Sequence, residues 1–146
     1  MDNFRPEVNV ISVTDLFAYL QKFFSGNSTI RFSFITDEQL TVYSDENYLQ
    51  TIMQNLTANA VKALQQTPDA AIEWMAWKEN DKTYFSIADN GPGISAEQAK
   101  TLFSETNVTG ARHGLGLHII KDLAKAISCS IAVQSDNNGS RFTLSV

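Results

Sequence analysis

The chain has 146 residues, 43% of them hydrophobic and 18% charged, with a formal net charge of -5. That length and balance fit one folded domain with its own core and exclude a disordered chain. The acidic balance argues against a nucleic-acid surface, which needs clustered Lys and Arg, yet it leaves room for a nucleotide held by backbone N–H groups and a metal ion. The single cysteine, Cys129, forbids an internal disulfide and fits a reducing compartment. There is no signal peptide and no run of 18 apolar residues, so this segment is expected in the cytoplasm without direct membrane contact.

In chain order, Val8 to Ser12 reads as a short strand. Thr14 is placed to cap a helix from Asp15 to Phe24, whose Leu16, Phe17, Leu20, Phe23 and Phe24 fall at helical spacing. Thr29 to Ile35 alternates, with Ile30, Phe32 and Phe34 on one face, and Leu40 to Tyr43 is its expected hairpin partner. Ser44-Asp45 opens a long helix from Glu46 to about Gln66, with Leu49, Ile52, Met53, Leu56, Ala60 and Leu64 as its core stripe. Ala70 to Lys78 and Lys82 to Ala88 read as an antiparallel hairpin around Glu79-Asn80-Asp81. Trp74 and Trp77, three apart on that strand, should face opposite ways. Ser95 to Gln98 forms a capping box for a short helix to about Phe103. Ser104 to His113 lacks periodicity and reads as a loop. A helix with Ile119, Ile120, Leu123, Ala124 and Ile127 on its buried side follows. Strands Ser130 to Val133 and Arg141 to Val146 finish the chain around the turn at Asp136 to Gly139.

Three stretches look chemical. Asn55, Asn59 and Lys62 stand at i, i+4 and i+7 of the long helix, so they share a face about a quarter turn from the core stripe. Two Asn residues one turn apart are poor helix formers; their amide oxygens suit a hard cation such as Mg²⁺, and the Lys suits phosphate. A solvated face is the plainer alternative. Asp89 ends a buried strand and precedes Gly91 and Gly93, which permit close backbone approach. Here the plainer alternative is an Asx turn. Gly114-Leu115-Gly116-Leu117 leads into a helix, where N–H groups and the positive dipole end suit an anion. Gly91 to Ala96 also satisfies the dinucleotide pattern G-x-G-x-x-A. The strand before it belongs to an antiparallel hairpin, however, and no ribose-binding acid follows about 20 residues on. A P-loop is absent.

Taken in order, these motifs resemble the ATP-binding catalytic domain of sensor histidine kinases, within the superfamily that includes gyrase, Hsp90 and MutL. Asn55-Leu-Thr-Ala-Asn59-Ala-Val-Lys62 is similar to the N box, Asp89-Asn-Gly91-Pro-Gly93-Ile94 to the G1 box and Leu102-Phe103 to the start of the F box. His113-Gly114-Leu115-Gly116-Leu117 resembles the G2 box, and Gly139-Ser140-Arg141-Phe142 the last glycine box. The resemblance covers about Val8 to Val146.

It implies an α/β (α+β) two-layer sandwich of the Bergerat type: a mixed, largely antiparallel sheet covered on one face by about three helices. It implies ATP and Mg²⁺ as ligands. Asp89 would accept a hydrogen bond from the adenine amino group, Gly91 and Gly93 would pass the base, and Ile94 would pack on it. Asn59 would hold the metal with Asn55 nearby, and Lys62 would reach phosphate. Gly114 to Leu117 would hold phosphate oxygens under a lid at Ser104 to His113, in which Arg112 and His113 would contact phosphate; Phe103, at the start of the F box just before it, would also belong to the ATP site, and Ser140 stands where the family often has Thr. The relatives that hydrolyse ATP carry a Glu at the Asn55 position, so this chain has no base of its own there.

The expected function is to supply the γ-phosphoryl group to a histidine on a separate dimerisation domain, ahead of a response regulator. The only histidines, His113 and His118, both lie at the G2 box. Residues 1–146 are accordingly expected to be a single catalytic domain without acceptor, sensor or transmembrane parts, either excised or free-standing. The alternatives are a non-catalytic ATP-binding regulatory module and an anti-sigma-type serine kinase; Asn55 speaks against the latter, which tends to have an acid there.

Overall fold

The computed structural model describes residues 5–93 and 120–146. Its elements run β1 (Asn9–Ser12), α1 (Val13–Phe23), β2 (Arg31–Ile35), β3 (Thr41–Ser44), α2 (Glu46–Ala63), β4 (Ala71–Glu79) and β5 (Lys82–Asp89). A helix over residues 120–126, α3, then leads to β6 (Ser130–Asp136) and β7 (Gly139–Ser145). Five strands form one sheet in the order β2-β4-β5-β7-β6. The β2–β4 pair is parallel and the other pairs are antiparallel. This is the mixed, largely antiparallel sheet under helices that the sequence implies. Among the described residues no helix is long and apolar enough to cross a membrane.

The period-two pattern of β4 decides which face is covered. Ile72, Trp74 and Ala76 are buried towards the helices, while Glu73, Met75 and Trp77 are half-buried on the other face. Trp74 and Trp77 therefore do face opposite ways, and Trp77 stacks on Tyr84 with centroids 5.4 Å apart. In the helix layer, Leu16, Phe17 and Leu20 of α1, Leu49, Ile52, Met53, Leu56 and Ala60 of α2, and Ile120, Leu123 and Ala124 of α3 close the core.

One pairing differs from the sequence reading. The stretch at Leu40 to Tyr43 is not the hairpin partner of β2; β3 pairs antiparallel with β1, from Asn9↔Ser44 to Ser12↔Thr41, as a separate two-stranded ribbon. The reason lies in the rings of β2. Phe32 stacks on Trp74 at 5.4 Å and Phe34 meets Phe17 at 5.5 Å, contacts that need β2 beside β4. The chain then turns at Asp37, whose Oδ1 accepts the Gln39 N–H, and the Leu40 carbonyl accepts the Val13 N–H. Helix boundaries shift too. Ser12, not Thr14, caps α1 by accepting the Asp15 N–H. The helix α2 stops at Ala63 rather than near Gln66, because Gln65 and Thr67 close short turns onto Lys62 and Leu64. Asp45 caps α2 as expected, accepting the Tyr48 N–H.

A buried polar link fixes α2 against the sheet. The Thr57 hydroxyl donates to the Met53 carbonyl at 2.7 Å and accepts the Trp74 indole N–H at 3.0 Å, and both side chains are fully buried. This sets the rotation of α2, so the Asn55 and Asn59 face must look away from the sheet. Thr57→Val keeps the shape but strands the indole N–H. It should cost about 1–3 kcal/mol in urea unfolding, with no change in the sheet's far-UV signal.

Candidate functional site

The strand β5 carries Asp89 to the end of the sheet, between Ile72 of β4 and Ser140 of β7. Its flanks are antiparallel on both sides, which removes the βαβ context that a dinucleotide fingerprint needs. Asp89 Oδ1 accepts the Gly91 N–H at 2.9 Å. The plainer Asx turn is thus real, but it occupies only part of the carboxylate. Burial raises the Asp89 pKa above the ordinary carboxylate value, more than the Gly91 and Ser140 N–H groups lower it. A half-buried acid with such a shift is expensive for a mere turn cap, and clefts with ligands are where such groups gather.

The turn is gripped from three sides. A Cβ on Gly91 would press on Leu64 and the Asp89 carboxylate, both at 3.1 Å, so the last turn of α2 lies against it. Gly93 has φ +81, and a Cβ there would overlap the Asp136 carbonyl; Gly139 has φ +148, and a Cβ there would overlap the Asp89 carbonyl. The close neighbours of these glycines are protein atoms: the end of α2 and the Asp89 carboxylate for Gly91, β6 for Gly93, and the end of β5 for Gly139. Ser140 is buried in that hairpin, with its hydroxyl 3.0 Å from that of Ser135. Around the strand end, a concavity of about 370 Å³ is lined by residues including Asp89, Asp136 and Arg141. Arg141 itself is held on the far face of the sheet by donating to Ser86 Oγ at 2.9 Å.

The same grip sets the C-terminal end of α2, at Ala63 and Leu64, against Gly91. Asn55 and Asn59 are half-buried and Lys62 is exposed, which places the row at the rim between core and solvent. The Asn55 amide nitrogen donates to the Thr51 carbonyl at 2.8 Å. That fixes the amide and leaves its oxygen as the group presented to a partner. Oxygen ligands of this kind suit a hard cation, and cationic Lys62 suits phosphate. No cluster of three or more His, Cys, Asp or Glu side chains suited to a metal occurs among the described residues.

Ile94, Phe103, Arg112, His113, Gly114, Leu115, Gly116 and Leu117 lie outside the described residues, as do the expected short helix after Ser95 and the lid. Sequence reading missed two groups at the strand end. Ser135, which meets Ser140, carried no motif. Asn90 stands inside the Asp89 motif with no role of its own in the sequence reading, although its amide bonds across to Ala71 and Asp69.

Residues 44–146 match the family described as histidine kinase-, DNA gyrase B-, and HSP90-like ATPase. Over 96% of its length the chain is 32% identical to the histidine protein kinase SaeS of Staphylococcus epidermidis, and it spans 42% of that protein. Over 67% of its length it is 31% identical to the C4-dicarboxylate transport sensor protein DctB of Rhizobium meliloti, of which it spans 16%. Among solved structures, full-length ShkA in complex with AMPPNP shares the fold with a TM-score of 0.85 at 24% identity, covering 99% of this chain and 32% of that one. The catalytic domain of the histidine kinase ThkA, nucleotide-free, gives a TM-score of 0.84 at 24% identity, covering 96% of this chain and 97% of that one. The chain belongs to the histidine kinase-, DNA gyrase B- and HSP90-like ATPase family. Within it, the chain is an ATP-binding catalytic domain of the sensor histidine kinase type, and it spans under half the length of the two curated relatives.

Proposed function

We propose that the chain binds ATP with Mg²⁺ and presents the γ-phosphoryl group to a histidine of a separate helical dimerisation domain, from which a response regulator is then served, in the cytoplasm. The observation that carries this is Asp89, a half-buried carboxylate at the end of β5 whose Gly91 turn packs on the C-terminal end of α2, the helix that bears Asn55, Asn59 and Lys62. In this reading residues 1–146 form one catalytic domain. Asp89 accepts from the adenine amino group and so selects adenine, with Ser140 bracing the same strand end. Asn59, supported by Asn55, holds the metal through its amide oxygen, and Lys62 meets phosphate. Ile94 packs on the base, Gly91 and Gly93 shape its floor, and Gly114, Leu115, Gly116 and Leu117 hold phosphate oxygens by their N–H groups. Phe103, Arg112 and His113 close over the phosphates.

The donor set fits the metal: neutral amide oxygens are hard ligands, and the nucleotide's phosphates complete such a site. Bound Mg²⁺ would neutralise charge on the phosphates undergoing transfer. In this reading the named residues orient and neutralise, and Asn55, at the position where relatives that hydrolyse ATP carry a Glu, has no basic carboxylate to take a proton from water. Phosphoryl transfer rests mainly on positioning and charge neutralisation, so a domain of this kind can serve a nucleophile brought by its partner.

Radiolabelled ATP tests this directly. Incubated alone, the chain should release little or no phosphate; with a cognate histidine-bearing domain it should transfer label to that domain in an acid-labile, base-stable form. Rapid ATP turnover by the isolated chain, lost in Asn55→Ala, would overturn the assignment of the nucleophile to a partner.

A further inference from the structure

At Asp89 the backbone ladder between β4 and β5 ends, with Ile72 as the last partner. The next residue continues it by other means. Asn90 N–H donates to the Ala71 carbonyl at 3.3 Å. The Asn90 side-chain oxygen then accepts the Ala71 N–H at 2.8 Å, and its amide nitrogen donates to the Asp69 carbonyl at 2.9 Å. One carboxamide, with one acceptor and one donor in use, thus stands in for a peptide unit and adds a rung where the main chain has already turned towards Gly91. Its partners are Ala71, the first residue of β4, and Asp69 in the connection from α2 to β4, where Asp69 has φ +51, a left-handed conformation that a non-glycine residue adopts at a cost. The other end of that connection, Ala63 and Leu64, is the part of α2 packed on Gly91. The α2–β4 connection is therefore held to the Asp89 turn at both ends.

We propose that Asn90 is a positioning residue for base recognition: its amide clamp sets the Asp89 carboxylate relative to the Asn55–Asn59 face of α2. This rests on the reading that Asp89 binds adenine. The chemistry of the clamp is strict. Aspartate keeps an acceptor for the Ala71 N–H but turns a second oxygen on the Asp69 carbonyl. Glutamine is a methylene too long. Alanine removes both bonds.

The test is a double-mutant cycle in the folded chain, read by calorimetric titration with ATP·Mg²⁺ and with purine riboside triphosphate·Mg²⁺, which lacks the 6-amino group. Asn90→Ala and Asn90→Asp should each weaken ATP binding about 10-fold, the scale of one displaced polar contact, and should leave binding of the amine-free nucleotide nearly unchanged. In an Asp89→Asn background, titrated at protein and nucleotide concentrations high enough to register the residual binding, Asn90→Ala should weaken ATP no further, because the contact it positions is already gone. Equal losses for both nucleotides, or a lower melting temperature with ATP affinity intact, would reduce Asn90 to a structural brace and overturn the proposal. If alanine unfolds the chain, Asn90→Ser, which retains one polar group, is measured in the same way against the same two outcomes. ATP binding undiminished in Asp89→Asn alone would instead remove the adenine reading, and this inference with it.

Discussion

Asp89→Asn should abolish the thermal stabilisation of this chain by ATP·Mg²⁺. A ligand present at 100 times its dissociation constant adds about 2.7 kcal/mol to the folded state. For a domain of this size that corresponds to a rise in melting temperature of roughly 10 °C. The mutant amide can still accept the Gly91 N–H through its oxygen, but it then presents an NH2 donor where the adenine amine needs an acceptor. Two donors facing each other in a half-dry site lose the contact and add a desolvation cost. Scanning calorimetry of both proteins at millimolar ATP measures the effect; a melting temperature that rises equally in both would remove Asp89 from the site.

The same substitution should leave the ligand-free chain no less stable, and the direction follows from linkage. Burial raises the Asp89 pKa in the folded state. Between the ordinary carboxylate value and that raised value, the folded chain holds a proton that the unfolded chain has released. Stability is therefore lost as pH rises through that window, the reverse of a salt-bridged acid. Once ionised, above that window, the carboxylate is a standing cost, which the neutral amide removes. ATP binding should run the other way and weaken as acidification protonates Asp89, beginning above the ordinary carboxylate range, with no such limb in Asp89→Asn. A binding residue that destabilises its own fold is the familiar compromise of functional sites.

Trp74→Ala should be the most damaging substitution in the core. Trp74 is fully buried, stacks on Phe32 at 5.4 Å and on Phe17 at 6.4 Å, and lies 6.5 Å from the Phe24 ring. These rings join β2, α1 and β4 in one cluster. Truncation leaves a cavity shared by all three and strips the Thr57 hydroxyl of its donor. Removal of a large aromatic from such a place costs about 3–5 kcal/mol, a large share of the roughly 5–15 kcal/mol that holds a domain together. The midpoint of urea unfolding should fall by about 2 M, given a slope of about 1–3 kcal/mol per molar. Trp74→Phe should be milder, since it keeps an aromatic ring in the cluster and loses chiefly the indole N–H bond. A smaller loss for alanine than for phenylalanine would contradict this account of the cluster.

The periodicities of the sequence determined the described helices α1, α2 and α3, the β4–β5 and β6–β7 hairpins and the face of β4 that is buried, because each depends on residues close in the chain. The Asn55–Asn59–Lys62 row and the Asp89 turn were legible for the same reason: helical spacing and a glycine-flanked acid are local patterns. Three things only the tertiary structure decided. One is strand partnership, since β2 and β3 are adjacent in sequence and read as a hairpin, yet aromatic packing on Trp74 draws β2 parallel to β4 and leaves β3 to β1. Another is what the glycines approach: Gly93 and Gly139 are required by backbone from the other side of the turn, a constraint between residues more than forty positions apart. The last is the work of Asn90 and Thr57. Their side chains bond to partners 17 to 21 residues away, and no local pattern distinguishes a carboxamide that bridges two segments from one that faces solvent.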